Sequence, residues 1–115
     1  MADLDKLQAM IIKFRDERDW KQFHNPKDTA ISLVLEASEF LEHFQWKNET
    51  DIKEYIKTNR TDIADELADV LYWLLLIAHD LEIDLERAAK EKMIKNAAKY
   101  PVSKAKGRHA KYTEL

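Results

Sequence analysis

The stretch Thr61-Asp62-Ile63-Ala64-Asp65-Glu66-Leu67-Ala68-Asp69-Val70-Leu71-Tyr72-Trp73-Leu74-Leu75-Leu76-Ile77-Ala78-His79-Asp80-Leu81 decides the fold. It holds neither Gly nor Pro, and Ile63, Val70 and Trp73 fall on one stripe at roughly 100° per residue. The spacing predicts one long helix, capped by Asn59 or Thr61 and reaching about Leu81. Its apolar centre, Val70 to Ala78, is the longest such run in the chain and far short of the ~20 residues that cross a bilayer.

Outward from that segment the chain reads as further helices. Residues 4–17 place Leu4, Leu7, Ile11, Ile12 and Phe14 at helical spacing, and residues 18–27 break the pattern. Asn25 reads as an N-cap, with Pro26 at the first helical position and Asp28 in the first turn of a helix running to about Trp46. The polar stretch Lys47 to Asp51 ends it, and residues 51–57 fit a short extra helix. Asp84 starts another, with Glu86 in its first turn, which stops before Pro101 because a residue preceding Pro avoids the α region. Residues 102–112 hold Ser, Gly and five basic side chains, and are expected to form a loose arm or one ordered by a partner.

Composition points the same way. The 115 residues include one Gly and two Pro, where average usage predicts roughly eight and roughly six. Hairpin turns depend on Gly, so an all-β fold is nearly excluded. Val occurs three times against thirteen Leu and thirteen Ala, a balance that favours helix. The absence of Cys removes disulfide scaffolds, thiolate zinc sites and cysteine nucleophiles. The expected architecture is all-α and four-helix bundle-like, one domain over 1–115 with a basic arm at about 102–115. The acidic start Met-Ala-Asp-Leu-Asp has no signal-peptide core, so a soluble cytoplasmic protein is expected. A domain this small buries only part of its surface and often needs a partner.

The net charge of −3 conceals an asymmetry: residues 90–112 carry eight Lys/Arg against one Glu. A solvated tail is the simplest reading of that segment, and a contact with an anionic ligand is the sharper one.

Acidic residues mark the candidate site. Glu36-Ala37-Ser38-Glu39 and Glu66-Leu67-Ala68-Asp69 are carboxylate pairs at i and i+3, each projecting from one side of its helix. Glu36 falls beside Leu33, Phe40 and Phe44, and Glu66 beside Ile63 and Val70, so both pairs border the apolar arc. Ordinary surface charge explains one such pair. Two at the apolar margins of adjacent helices call for a positive partner, because desolvating a carboxylate costs several kcal/mol. No Lys or Arg lies inside either four-residue window, and oxygen ligands select Mg2+, Mn2+ or Ca2+. A di-iron site needs Glu-x-x-His, and Lys21, Phe40, Leu76 and Lys106 stand three residues before the four His. Mg2+ holds phosphates as well as carboxylates, so phosphate-ester or anhydride chemistry is expected.

Aromatic residues complete the pattern. Trp20, Phe23 and His24 lie in an expected loop, Trp46 at a helix end, and Trp73 one turn beyond Asp69. Core packing accounts for a single aromatic. Large rings clustered in a loop fit the stacking of a nucleobase, which is worth ~1–3 kcal/mol per base.

The segments Arg18-Asp19-Trp20-Lys21-Gln22-Phe23-His24, Glu36 to Glu39, Phe44-Gln45-Trp46-Lys47 and Asp65 to Leu71 together resemble the all-α nucleoside triphosphate pyrophosphatases of MazG type. Lys92, Asn96, Tyr100-Pro101 and Lys111-Tyr112-Thr113-Glu114-Leu115 are similar to their dCTP pyrophosphatase-like branch, and the likeness runs from about Leu7 to Leu115. The resemblance implies a helical homo-oligomer, a tetramer built from two dimers. It implies Mg2+-dependent hydrolysis of the α–β phosphoanhydride, with Mn2+ as a substitute, giving a nucleoside monophosphate and pyrophosphate in nucleotide-pool house-cleaning. Glu36, Glu39, Glu66 and Asp69 would be catalytic metal ligands, with Glu39 a candidate to orient water. Trp20, Lys21, Gln22, Phe23, His24, Trp46 and Trp73 would line the nucleotide pocket, Asn96 and Tyr100 would lie near base or sugar, and Lys92 and the basic tail would meet the triphosphate. The chain departs from the dCTP-specific relatives at Ile11, where they carry His, and at Trp73, where they carry Tyr, two positions that bear on base and sugar recognition.

Other readings make separate expectations. A related pyrophosphatase acting on dUTP or on a histidine-pathway nucleotide is disfavoured by the Trp-x-Gln-Phe-His segment. A non-catalytic helical module binding nucleic acid through the basic arm predicts salt-sensitive binding without Mg2+, but no groove-reading motif is present. A purely structural bundle leaves the marginal acids unexplained.

Overall fold

The computed structural model describes residues 2–115, and of Ala2 only the backbone; Met1, inside the domain expected over 1–115, lies outside the described residues. Among the described residues all regular structure is helical. The helices are α1 (Ala2–Glu17), α2 (Pro26–Glu42), α3 (Glu49–Thr58), α4 (Arg60–Asp80), α5 (Leu85–Lys99) and the single turn α6 (Val102–Ala105). Short 3-10 turns occupy Lys21–Phe23 and Tyr112–Glu114. Two compact units result, one ending at Glu82 and one spanning Ile83–Leu115. No helix among the described residues is long and apolar enough to cross a membrane.

In the first unit α4 is the central rod: α2 packs along it most extensively, and α1 and α3 also lie against it. Its apolar run supplies Leu75, Leu76 and Ala78 to the buried core, to which α1 adds Ile11. Local chemistry starts α2 where expected, and opens α3 at Glu49, two residues before the expected start at 51. The Asn25 side chain accepts from Asp28 N at 2.9 Å with Pro26 just inside α2, and Asn48 accepts from Asp51 N at 2.9 Å to open α3. Asn59 stands at the start of α4 but turns back, donating to Tyr55 O at 3.1 Å.

The end of α2 differs from expectation. The helix stops at Glu42 rather than near Trp46. His43 Nδ1 pairs with the Tyr55 hydroxyl, Phe44 meets the Tyr55 ring edge-on, and Lys47 Nζ lies 4.3 Å from that ring centre. These contacts with α3 pull the chain off the helical path, and Trp46 turns it with φ 67. The core is small, and Ile31, Val34, Leu35, Leu41 and Leu67 remain exposed.

In the second unit the Asp84 side chain accepts from Arg87 N at 3.1 Å to open α5, which ends before Pro101. The expected loose arm instead carries local structure. α6 closes with bonds from Lys104 N and Ala105 N to Pro101 O (both 2.9 Å), and Gly107 reverses the chain at φ 77. The Tyr112 ring packs edge-on against Tyr100 at 6.0 Å, with Lys99 Nζ 4.8 Å from its centre.

Candidate active site

Burial differs within each acidic pair. On α2, Glu36 shares a half-buried stripe with Leu33 and Phe40, while Glu39 is exposed; on α4, Glu66 shares one with Ile63 and Val70, while Asp69 is exposed. Packing α2 on α4 turns the two inner acids toward each other. Ligand oxygens of Glu36, Glu39 and Glu66 lie within 4.8 Å of one another.

The inner pair lacks donors. Glu36 Oε2 and Glu66 Oε1 are buried without a hydrogen-bond partner. The facing Glu66 carboxylate, which can bond only to a protonated Glu36, pushes the Glu36 carboxyl up to about 7; burial and the charges of Glu66 and Asp69 add to this, and Glu39 opposes it. Carboxylates held together with unsatisfied oxygens fit a hard divalent cation, which accepts only their deprotonated oxygens. Asp69 stands outside that trio, close enough for its charge to act on Glu36.

Asp69 also forms a wall of the neighbouring cavity, of about 470 Å3. Met10, Ile11 and Phe14 of α1 form one side, Trp20 another, and Tyr72 and Trp73 of α4 the floor. The rings make a continuous edge-to-face series: Trp20 to Phe14 at 5.7 Å, Phe14 to Tyr72 at 6.2 Å, Tyr72 to Trp73 at 5.1 Å and Trp73 to His24 at 5.5 Å. Such a box offers π faces and little hydrogen bonding, as a base-stacking site requires.

The loop that supplies Trp20 is shaped locally. α1 ends where Trp20 N and Arg18 N both donate to Arg15 O at 3.2 Å, with Asp19 at φ 55. Gln22 Nε2 folds back to Asp19 O and Oδ2 at 3.0 and 2.9 Å. Lys21 and His24 line an adjacent cavity of about 390 Å3, and His24 Nδ1 is buried without a partner. Burial and the charge of Arg15 lower the His24 pKa against the opposing charge of Asp80.

Trp20 and Trp73 therefore join Asp69 in one cavity, beside the Glu36, Glu39 and Glu66 cluster. Gln22 and Phe23 are not brought to the lining of that cavity, and Lys21 and His24 line its neighbour. Trp46 is also absent from the lining, the residue being 93% exposed. Lys92, Asn96 and Tyr100 belong to the second unit, where Asn96 is half-buried and Lys92 exposed. Ile11, a position expected to bear on base and sugar recognition, also lines the cavity, and Met10, Phe14 and Tyr72 line it beyond the expected residues. For Tyr72 the available signal was its place next to Trp73 and three residues beyond Asp69.

An all-α bundle with acids opposed across two helices and an aromatic box beside them defines a class, and comparison with known proteins agrees. Residues 31–115 match the MazG-like family. The mouse (Mus musculus) and human (Homo sapiens) proteins named dCTP pyrophosphatase 1 are each 37% identical over 114 residues, covering 97% of this chain and 67% of the relative. A crystal structure of a pyrophosphatase from Archaeoglobus fulgidus superposes with a TM-score of 0.81 at 38% identity, over 86% of this chain and 93% of that one. The chain belongs to the MazG-like family.

Proposed function

We propose that the protein is a cytoplasmic, Mg2+-dependent nucleoside triphosphate pyrophosphohydrolase. Its proposed substrates are dCTP or related and modified deoxynucleotides, cleaved to the nucleoside monophosphate and pyrophosphate. The observation that carries this reading is the set of donorless, opposed carboxylate oxygens of Glu36 and Glu66 beside an aromatic cavity. The relatives named as pyrophosphatases support it.

Glu36, Glu39, Glu66 and Asp69 would hold the cation, with Mn2+ able to replace Mg2+. A divalent cation there would supply charge neutralisation for the anionic triphosphate. Trp20 and Trp73 stack the base, and Asp69, which lines the cavity and whose charge reaches Glu36, sets the distance from base to phosphates. Water adds across the α–β anhydride: a new P–O bond forms, the bridging P–O bond breaks, and the water's proton passes to a carboxylate, with exposed Glu39 the candidate acceptor. Lys92, Asn96 and Tyr100 are proposed as further nucleotide contacts on the resemblance alone.

The same reading includes a homotetramer, a dimer of dimers. Exposed Ile31, Val34, Leu35 and Leu41 form an apolar stripe along α2 that a second copy would cover. Trp46, exposed at a positive φ, is a candidate to reach a neighbouring subunit.

The deciding test is pyrophosphate release from a panel of canonical and modified triphosphates, with and without Mg2+. Release only with the cation, and strongest with a cytosine deoxynucleotide, is expected. Absence of release from every triphosphate would end the reading.

A further inference from the structure

Arg15 is a charged side chain in the interior. It and Leu76 are the largest fully buried side chains among the described residues. Nη1 donates to both oxygens of Asp80, at 2.8 and 2.7 Å, and Nε donates to Asp16 Oδ1 at 3.1 Å. Such a pair adds little net stability over apolar residues of the same volume, but it tolerates little displacement, because any shift leaves a buried charge unpaired.

Its location gives that intolerance a use. Arg15 ends α1, and its carbonyl accepts the N–H groups of Arg18 and Trp20, so the turn aiming Trp20 at the cavity hangs on this residue. Phe14, its neighbour, carries the ring against which Trp20 leans. Asp80 lies two helical turns beyond Trp73 on the same face of α4. His24 closes the loop edge-on to Trp73. The pair thus ties together the two helix ends that carry the ring series. A further side-chain bond between these helices, Gln8 Nε2 to Leu75 O at 2.8 Å, lies farther up α1 and does not touch the loop.

We propose that the pair made by buried Arg15 with the more exposed Asp80 is a positioning device that fixes the Trp20–His24 loop over the aromatic cavity, and so governs how tightly the base is held rather than how fast the anhydride is cut. This rests on the pyrophosphohydrolase reading. Trp20 lines the cavity but is not among the clustered acids. A displaced Trp20 removes binding shared by ground and transition states, which raises KM and leaves kcat in place.

The test uses the full chain with Arg15→Met/Asp80→Leu, a replacement of matched bulk that removes the directed bonds without leaving a lone charge. The expected result is a thermal midpoint close to wild type, KM raised about tenfold and kcat within about twofold. Acrylamide quenching of Trp20, read in a Trp46→Phe/Trp73→Phe background, should increase when the pair is replaced. An unchanged KM with unchanged quenching overturns the proposal, as does a fall in kcat at constant KM. If the double variant does not fold, Asp80→Asn is measured by the same readouts with the same criteria. A wild-type protein that releases no pyrophosphate rejects the functional reading instead, and quenching then still decides whether the pair positions the loop.

Discussion

Two places in the first unit bury charge, and they do so in opposite ways. At the ends of α1 and α4, Arg15 and Asp80 neutralise each other. Between α2 and α4, Glu36 and Glu66 oppose like charges and leave oxygens without donors. The first arrangement is complete within the chain. The second is incomplete, and its missing element must be a cation or a proton. Charge at an apolar margin is therefore not itself the sign of a site; charge there without a partner is.

The strongest way to break this contrast is through turnover. Glu39→Ala should lower kcat by about 100-fold or more, the scale of losing a positioned electrostatic group, in a pyrophosphate-release assay. Next comes stability. Asp80→Ala strands the buried Arg15 charge and should cost about 3 kcal/mol by urea unfolding, whereas Glu36→Gln should raise the midpoint of the cation-free protein by removing like-charge repulsion. Saturating Mg2+ should stabilise the wild type by about 2.7 kcal/mol at a hundred times its Kd, with little effect on Glu36→Gln/Glu66→Gln.

The two regions also differ in how stability follows pH. Burial alone would raise the Asp80 pKa, but hydrogen bonds and charge from Arg15 and His79 outweigh it and hold it below the usual carboxylate value. That contribution is present above the ordinary Asp range and is lost as pH falls through the depressed folded value. Glu36 has the reverse sign. Its folded pKa of about 7 exceeds the ordinary 4.5, so the cation-free fold binds the extra proton and loses stability as pH rises from about 4.5 to about 7. Thermal midpoints across pH, with chelator present, should fall on both sides. The smallest expected effect is Asn25→Ala, about 1 kcal/mol for the lost α2 cap, read by urea unfolding.

What could be read from the chain was what local chemistry decides. Asn25, Pro26 and Asp84 start helices through side-chain and φ preferences that need no tertiary partner. The acid pairs were visible because a 3.6 period places Glu36 and Glu66 on apolar stripes. What escaped depends on contacts distant in sequence. Helix α2 ends at Glu42 because Tyr55 of α3 captures His43 and Lys47, and nothing within residues 40–46 announces it. The turns after Pro101 formed where a charge-rich arm was expected. Arg15 could have been found by the test applied to the acids, since it stands one turn past Ile11 on the buried side of α1. Its mate Asp80, 65 residues away, could not.

The central claim is that the opposed acids of α2 and α4 hold a divalent cation. Calorimetric titration of Mn2+ into wild type and into Glu36→Gln/Glu66→Gln tests it most directly. Saturable binding by the wild type that disappears in the folded double variant is the predicted result. Equal binding by both proteins, or none by the wild type, would contradict it.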